Sequence, residues 1–413
     1  MSNLDVWKKR TRSGLLSQES INSFSYTYNE QSSLPVSISM PTTKLRREFN
    51  EVPPVFQAFM PEGELLKEVV SHLEEKLKRN VDDMDILAAV GNNNIGILSF
   101  TMPGQEIKPI NQAFSPDSIN SADDELSAFN SAMGEFFLSG VSGIQPKFLA
   151  KSLAMKNLIV KSYDPNEYPA STVVEHICME LADKLGLNVA KTTLSKQGHV
   201  LFVERFDKDG DSYGDMEEVC SILSLGTLKK YDGSYENVAK AIGRIDSDSL
   251  RPLFKQIVFH NLVRNGDAHL KNFAILDGKL SPMYDVLCTA AWGDKQLALY
   301  LGGTKRWVKD KALVRFGQEF CNLTAKDAKS IIAEMKDGIL SEVGHIDVYA
   351  RQYSGLRHIE AVLENMKENL LCGCGQKLQT ELSLVSIQEL LKQDRLAQTF
   401  KDGVKADDIG SMM

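Results

Sequence analysis

The chain reads as an α+β protein of two lobes with a ligand cleft between them. Three features carry that reading. Strand-like segments separated by turns dominate the first half, with a long amphipathic helix among them. From Asp215 onward the pattern is mostly helical. The helical half also holds one short hairpin, "FAILDGKLSPMYD", where a parallel sheet would need alternating βαβ units. A cleft between two such lobes is the natural place for a ligand.

The elements follow in order. "SFSYTYNE" and "PVSISM" have strand composition. "PPVFQAFMPEGELLKEVVSHLEEKLKR" is a helix interrupted near Pro61-Glu62-Gly63. "DDMDILAAVGNNNIGILSF" reads as a capped helix, a turn and a strand. Residues 103–125 are polar and turn-rich, which predicts a linker. A β-rich stretch follows in "EFFLSGVSGIQPKFLAKSL" and "NLIVKSY". Next come the helix "ASTVVEHICMELADKLGLNV", with Gly186 near its end, and the strand "HVLFVERFD". Helices then run from "LRPLFKQIVFHNLVRN" to "YSGLRHIEAVLENMKENLL".

Composition narrows the function classes. At 413 residues the chain exceeds one typical domain, and 43% hydrophobic with 25% charged residues is ordinary globular usage. A formal charge of -8 argues against broad, unspecific nucleic-acid binding while leaving room for a local basic patch. Of six cysteines only Cys372 and Cys374 lie close together, which suits a reducing compartment. A lone C-x-C without a second ligand pair reads as a Gly-containing turn rather than a metal site. "MSNLDVWKKRTRSGLL" has no apolar core of a signal peptide, and no run of about 18 apolar residues occurs. The expectation is a soluble, cytoplasmic protein.

The chemistry concentrates in "NGDAHLKNFAILDGKLSPMYD", Asn265 to Asp285. Asp267 precedes Asn272 by five positions, and the Asp-Gly turn carries Asp285 back beside them. Carboxylate and amide oxygens are hard ligands that suit Mg²⁺. Asn272 and Asp285 can hold the ion while Asp267 orients or deprotonates an attacking hydroxyl. These are the parts of phosphoryl transfer. Singly, each residue could equally cap a helix or make a turn.

Upstream, "SGVSGIQPK" (139–147) offers backbone N–H groups, Ser142 and Gly143 among them, that could cradle phosphates; a plain Gly/Ser hairpin turn is the other reading. Lys161 ends the apolar strand "NLIVK", where a cation needs an anion such as an ATP phosphate, unless it simply reaches solvent. Glu175, early in the next helix, could pair with Lys161. In "LFVERFD", Glu204 and Phe206 could offer backbone groups to adenine, and Phe206 a ring face; alternatively this is a strand ending in a surface Arg–Asp pair.

Together "SGIQPK", "IVK", "EHICMELADKLGLNV", "VERFD", "NGDAHLKNF" and "LSPMYD" resemble, in order, the HipA-like serine/threonine kinases, toxins of bacterial type II toxin–antitoxin modules. "LPVSISMP", "FMPEG" and "DILAAVGNNNIGIL" resemble the family's leading subdomain, so the likeness spans nearly the whole chain and weakens after about residue 310. It implies a two-lobed protein-kinase-like fold with an extra N-terminal α/β subdomain (1–125), an N-lobe core (126–208) and an all-helical C-terminal lobe (209–413). By position Asp267 becomes the catalytic aspartate, Asn272 and Asp285 the Mg²⁺ ligands, and Lys161 the ATP-phosphate lysine. Glu204 and Phe206 become adenine hinge residues, and His269 and Tyr284 line the nucleotide pocket.

The family also implies autophosphorylation of a loop serine, a HipB-like DNA-binding antitoxin, DNA contacted only through that antitoxin, and a protein substrate such as an aminoacyl-tRNA synthetase. Here Gly140 stands where the serine opening the family's S-x-x-G-x-Q run is expected. Ser142 is therefore the autophosphorylation candidate, with Ser139 second. A phosphate there would repel the nucleotide. A small-molecule kinase and a non-catalytic nucleotide-binding regulator of an antitoxin are the alternative readings.

Overall fold

Strands β1 (Ser2–Lys8), β2 (Thr11–Ser20), β3 (Ser23–Tyr28), β4 (Arg46–Phe49) and β5 (Leu98–Thr101) form an antiparallel sheet in the order β4-β3-β2-β1-β5. This computed structural model describes residues 2–91, 94–107, 113–136, 146–152, 157–209, 212–376 and 385–401. Alternation along β3 turns Phe24, Tyr26 and Tyr28 inward. There Tyr26 meets Phe56 edge-on at 5.3 Å, and Phe56 meets Phe100 at 5.4 Å. Such ring pairs add about 1 kcal/mol each beyond their buried area. Phe56 belongs to α1 (Pro54–Gln57); α2 (Gly63–Leu77) and α3 (Asp83–Val90) follow. The expected interruption at Pro61-Glu62-Gly63 thus separates two helices. Asp82 and Asp85 close a capping box at the start of α3.

"PVSISM" is not a strand: it makes only an isolated Ser37–Met40 bridge. The Tyr28 hydroxyl donates to the Met40 carbonyl and accepts from the Val36 N–H, which takes backbone groups a ladder would need.

A second sheet is built from β6 (Ala113–Phe114), β7 (Lys147–Ser152), β8 (Asn157–Lys161), β9 (Thr192–Leu194) and β10 (Leu201–Glu204), ordered β6-β7-β8-β10-β9. Helices α4 (Pro116–Asn120), α5 (Glu125–Phe136) and α6 (Ser171–Lys184) accompany it. Two expectations are corrected here. Glu135 and Phe136 close helix α5 rather than starting a strand. The supposed linker is also part of the fold, because β6 pairs in parallel with β7 and Glu125 is fully buried. Its carboxylate accepts from Ser195 Oγ at 2.5 Å and Gln197 N at 2.8 Å. Composition cannot reveal a polar residue whose donors lie some 70 positions away.

The remainder holds α7 (Val219–Ile222), α8 (Tyr235–Ile245), α9 (Leu250–Leu262), α10 (Asp310–Phe320), α11 (Ala325–Glu342), α12 (Ile346–Gln352), α13 (Ile359–Gly373) and α14 (Ile387–Lys401). It is not all-helical. A hairpin joins β11 (Lys208–Asp209) to β12 (Ser212–Tyr213). β13 (Met216–Glu218) pairs with β14 (Ala274–Leu276), and β14 with β15 (Lys279–Leu280). β16 (Gln296–Leu301) pairs with β17 (Thr304–Arg306). The third strand β13 supplies partners to a hairpin edge that would otherwise be open. The β14–β15 turn is the expected one: Asp277 at φ 49° and Gly278 at φ 82° are both left-handed, as a type I′ turn requires.

"CGCG" ends α13, where Gly375 at φ 84° reverses the chain, and all six cysteines are free thiols. Among the described residues no helix is long and apolar enough to cross a membrane. No group of three or more His, Cys, Asp or Glu among them is placed to hold a metal.

Candidate active site

Lys161 closes strand β8 in register with Lys147 on β7, so two cations sit side by side at one end of a cleft. Both are buried. Lys161 Nζ reaches Glu175 Oε1 at 2.7 Å and Asp285 Oδ1 at 2.7 Å. The expected Lys161–Glu175 pair is therefore present, and Asp285 joins it. Burial works against the Lys161 charge, but the Asp285 and Glu175 carboxylates outweigh it and hold its pKa above the ordinary lysine value. Burial likewise pushes the Asp285 carboxyl up, yet Lys161 and Lys147 more than reverse this and hold it well below the usual range. Asp285 carries φ 59°, a left-handed conformation that costs a non-glycine residue of order 1–3 kcal/mol. The Met283 N–H to Asn188 and the Met283 carbonyl to Ala190 N anchor the chain just before it.

The other end is the loop after α9. Asn265, fully buried, donates its backbone N–H to His260 O and accepts the Asp267 N–H on its side chain at 2.9 Å. Gly266 passes so close to β16 that a Cβ there would lie 2.7 Å from Gln296 O. These contacts turn Asp267 into the cleft. Its Oδ1 accepts the Tyr231 hydroxyl at 2.5 Å. Burial pushes the Asp267 carboxyl up to about 6; Tyr231 opposes the rise and the Asp285 charge adds to it. A short turn follows, in which the His269 N–H donates to Asn272 Oδ1 at 3.1 Å. The Asn272 amide then lies 3.5 Å from Asp285 Oδ2. Asp267, Asn272 and Asp285, predicted to converge, do so on one cavity.

That cavity measures about 530 Å³, within the range of small-molecule sites. Phe206 and Tyr284 both line it, their rings in tilted contact at 5.6 Å between centroids, and the Tyr284 hydroxyl donates to Lys271 O at 2.6 Å. His269 also lines it. Burial drops its pKa to about 3, leaving a neutral ring whose Nδ1 has no hydrogen-bond partner. Glu204 and Phe206 line the same wall, although the Glu204 N–H is already taken by Lys191 O at 2.8 Å. The Arg205–Asp207 pair that flanks Phe206 is buried, not a surface pair. Arg205 donates to Asn94 O, and Asp207 accepts from Gly96 N, which ties this strand to the N-terminal sheet domain. Ser139, Gly140, Ser142 and Gly143 lie outside the described residues.

Residue types and spacing did not single out three contributors. Lys147 is one; its cross-strand register with Lys161 could have flagged it. Tyr231, 36 positions from Asp267, is the second. The third is Glu62 of the N-terminal domain, which reaches Lys230 at 2.8 Å and Lys271 at 2.9 Å inside the cleft. Burial opposes the Glu62 charge, but Lys271 and Lys230 hold its carboxyl down to about 2. Nearby, burial pushes Glu218 up to about 7, and its Oε2 has no hydrogen-bond partner. No local sequence signal marks contacts of this range.

The Asp285 carboxylate and the Asn272 amide are hard groups of a kind that suits Mg²⁺, with the neutral His269 ring lining the same cavity.

Residues 4–101 match the HipA N-terminal domain, and residues 139–343 match the HipA-like C-terminal domain. Two candidate kinases of Sinorhizobium fredii are similar. Y4mE is 25% identical over 344 residues, covering 72% of this chain and 80% of the relative. Y4dM is 23% identical over 300 residues, covering 64% and 69%. Among solved structures, a chain of the Shewanella oneidensis MR-1 complex of HipA, HipB and operator DNA superposes with a TM-score of 0.65 at 19% identity. That match covers 90% of this chain and 96% of the other.

Proposed function

Because the chain belongs to the HipA-like family, with both its N-terminal and C-terminal domains, we propose that it is an ATP- and Mg²⁺-dependent protein serine/threonine kinase acting as a toxin. The observation that carries this is the shared cavity. Lys161, bridged to Glu175 and Asp285, stands at one end and Asp267 at the other. Phe206 and Tyr284 offer ring faces to adenine. Lys161 and Lys147 meet the phosphates with desolvated charge, where an electrostatic contact is stronger than in water. Asn272 and Asp285 would hold Mg²⁺, which, when bound, neutralises charge on the β- and γ-phosphates.

Asp267 orients the acceptor hydroxyl and takes its proton as the acceptor oxygen bonds to the γ-phosphorus. The bond from that phosphorus to the bridging oxygen breaks, and ADP leaves with the electron pair. With a pKa near 6 the carboxylate is ionised at neutral pH and still basic enough to share a proton in transit.

In this reading the protein is cytoplasmic and is restrained by a HipB-like DNA-binding antitoxin, with DNA reached only through that partner. The similar Shewanella chain was solved with HipB and operator DNA. The loop at Ser142 is the proposed site of self-inhibition, and a component of translation such as an aminoacyl-tRNA synthetase the proposed substrate.

Phosphoproteomes of cells expressing wild type or Asp267→Asn test the reading. New Ser/Thr phosphorylation together with growth arrest is expected only with wild type. Equal toxicity from the variant would instead support a regulator that acts by binding.

A further inference from the structure

Resting on the kinase reading above, we propose that Tyr231 is a positioning residue for Asp267, held in place by the N-terminal domain through Gln57. The Tyr231 hydroxyl donates to Asp267 Oδ1, whereas Asp267 Oδ2 takes no hydrogen bond from the described residues and belongs to a carboxylate that lines the cavity. One oxygen is thus anchored and the other is presented to an acceptor hydroxyl. A carboxylate on a loop is otherwise free to rotate about its side chain. Proton transfer is sensitive to displacements on the ångström scale.

Tyr231 is itself 37% exposed, so packing alone does not fix it. Directed contacts do. The His269 ring meets its edge at 5.1 Å, and Lys305 Nζ donates to its carbonyl at 3.3 Å. The preceding residue, Lys230, accepts the Leu270 N–H on its carbonyl at 3.0 Å, which ties it to the loop that carries Asp267.

The other side of this segment is gripped by the N-terminal domain. Gln57, the last residue of α1, accepts the Thr227 N–H on its side chain at 3.1 Å and the Thr227 hydroxyl on its carbonyl at 3.3 Å. Gly226 lies so near that a Cβ would sit 2.5 Å from Gln57 Oε1. Glu62, just before α2, holds Lys230. Residues 226–231 therefore run as a strut from the N-terminal domain to the candidate base. The other charges that bear on Asp267 are Asp285 and Asp294, which raise its pKa, and Lys230, which lowers it. Tyr168 lines the same cavity and feels the Asp267 charge.

Tyr231→Phe and Gln57→Ala in the full chain, assayed for ATP-dependent phosphorylation across pH, test the strut. Tyr231→Phe is expected to lower kcat about 10- to 100-fold with the KM for ATP unchanged. The acidic limb of its profile should move to higher pH, because a hydrogen bond that favours the ionised carboxylate is gone. Gln57→Ala should do the same more weakly, with a kcat loss of about threefold to tenfold. A Tyr231→Phe enzyme with wild-type kcat and an unmoved limb overturns the proposal. So does one whose ATP binding falls together with kcat. If Gln57→Ala matches wild type, the N-terminal domain has no part in it. Failure of the kinase reading looks different: wild type transfers no phosphate, or Asp267→Asn transfers it normally, and this proposal then falls with it.

Discussion

The two ends of the cleft are built on opposite principles. At the Lys161 end the lysine and Glu175 are both almost fully buried, and Lys161 meets two carboxylates at 2.7 Å each. At the Asp267 end the carboxylate is half-buried, with one oxygen bound to a tyrosine and the other facing the cavity. The first end is suited to holding a fixed polyanion, because paired charges out of water do not rearrange cheaply. The second is suited to a group that comes, gives up a proton and leaves. On the proposed kinase reading, holding and reacting are separated within one cavity.

Breaking the buried end should produce the largest effect. Lys161→Met removes the direct partner of both Glu175 and Asp285, leaving Lys147 as the remaining nearby cation, a change that costs about 3–5 kcal/mol in comparable buried pairs. Thermal unfolding should show a Tm lower by about 10 °C, and nucleotide binding should be lost. If Lys161→Met melts with wild type, the network is not what holds this end together.

Phe206→Ala should act more gently. It removes a ring face that meets Tyr284 at 5.6 Å, and ATP should bind about tenfold more weakly with kcat little changed. A fall in kcat with unchanged affinity would put Phe206 at the reacting end instead.

The smallest expected effect is on stability. The Asp267 carboxyl is raised to about 6 in the folded protein, so folding favours its protonated form. The sign follows from linkage: the resulting stability is present below the unfolded pKa of about 4 and lost as pH rises through the folded value. Asp267→Asn removes that loss, so it should melt about 2 °C above wild type at pH 8 and no higher at pH 4. An increase at both pH values would trace the gain to something other than the charge.

Local chain geometry explains which parts could be read in advance. Asp267, Asn272 and Asp285 lie within nineteen positions around one Asp-Gly turn, so their spacing nearly determines their convergence. Lys161 stood out as a cation ending an apolar strand. Tyr231 and Glu62 carry no such signature: Tyr231 meets Asp267 from 36 positions away, and Glu62 meets Lys271 from 209. The buried Glu125 looked like part of a polar linker for the same reason. The strands that keep the C-terminal half from being all-helical are two to six residues long, too short to impose a period on the sequence.

The most direct test of the separation between holding and reacting measures ATP–Mg²⁺ binding and phosphate transfer side by side on purified wild type and Asp267→Asn. ATP affinity is expected to stay within about threefold, while transfer falls about a thousandfold. Transfer at the wild-type rate, or loss of ATP binding along with activity, would contradict it.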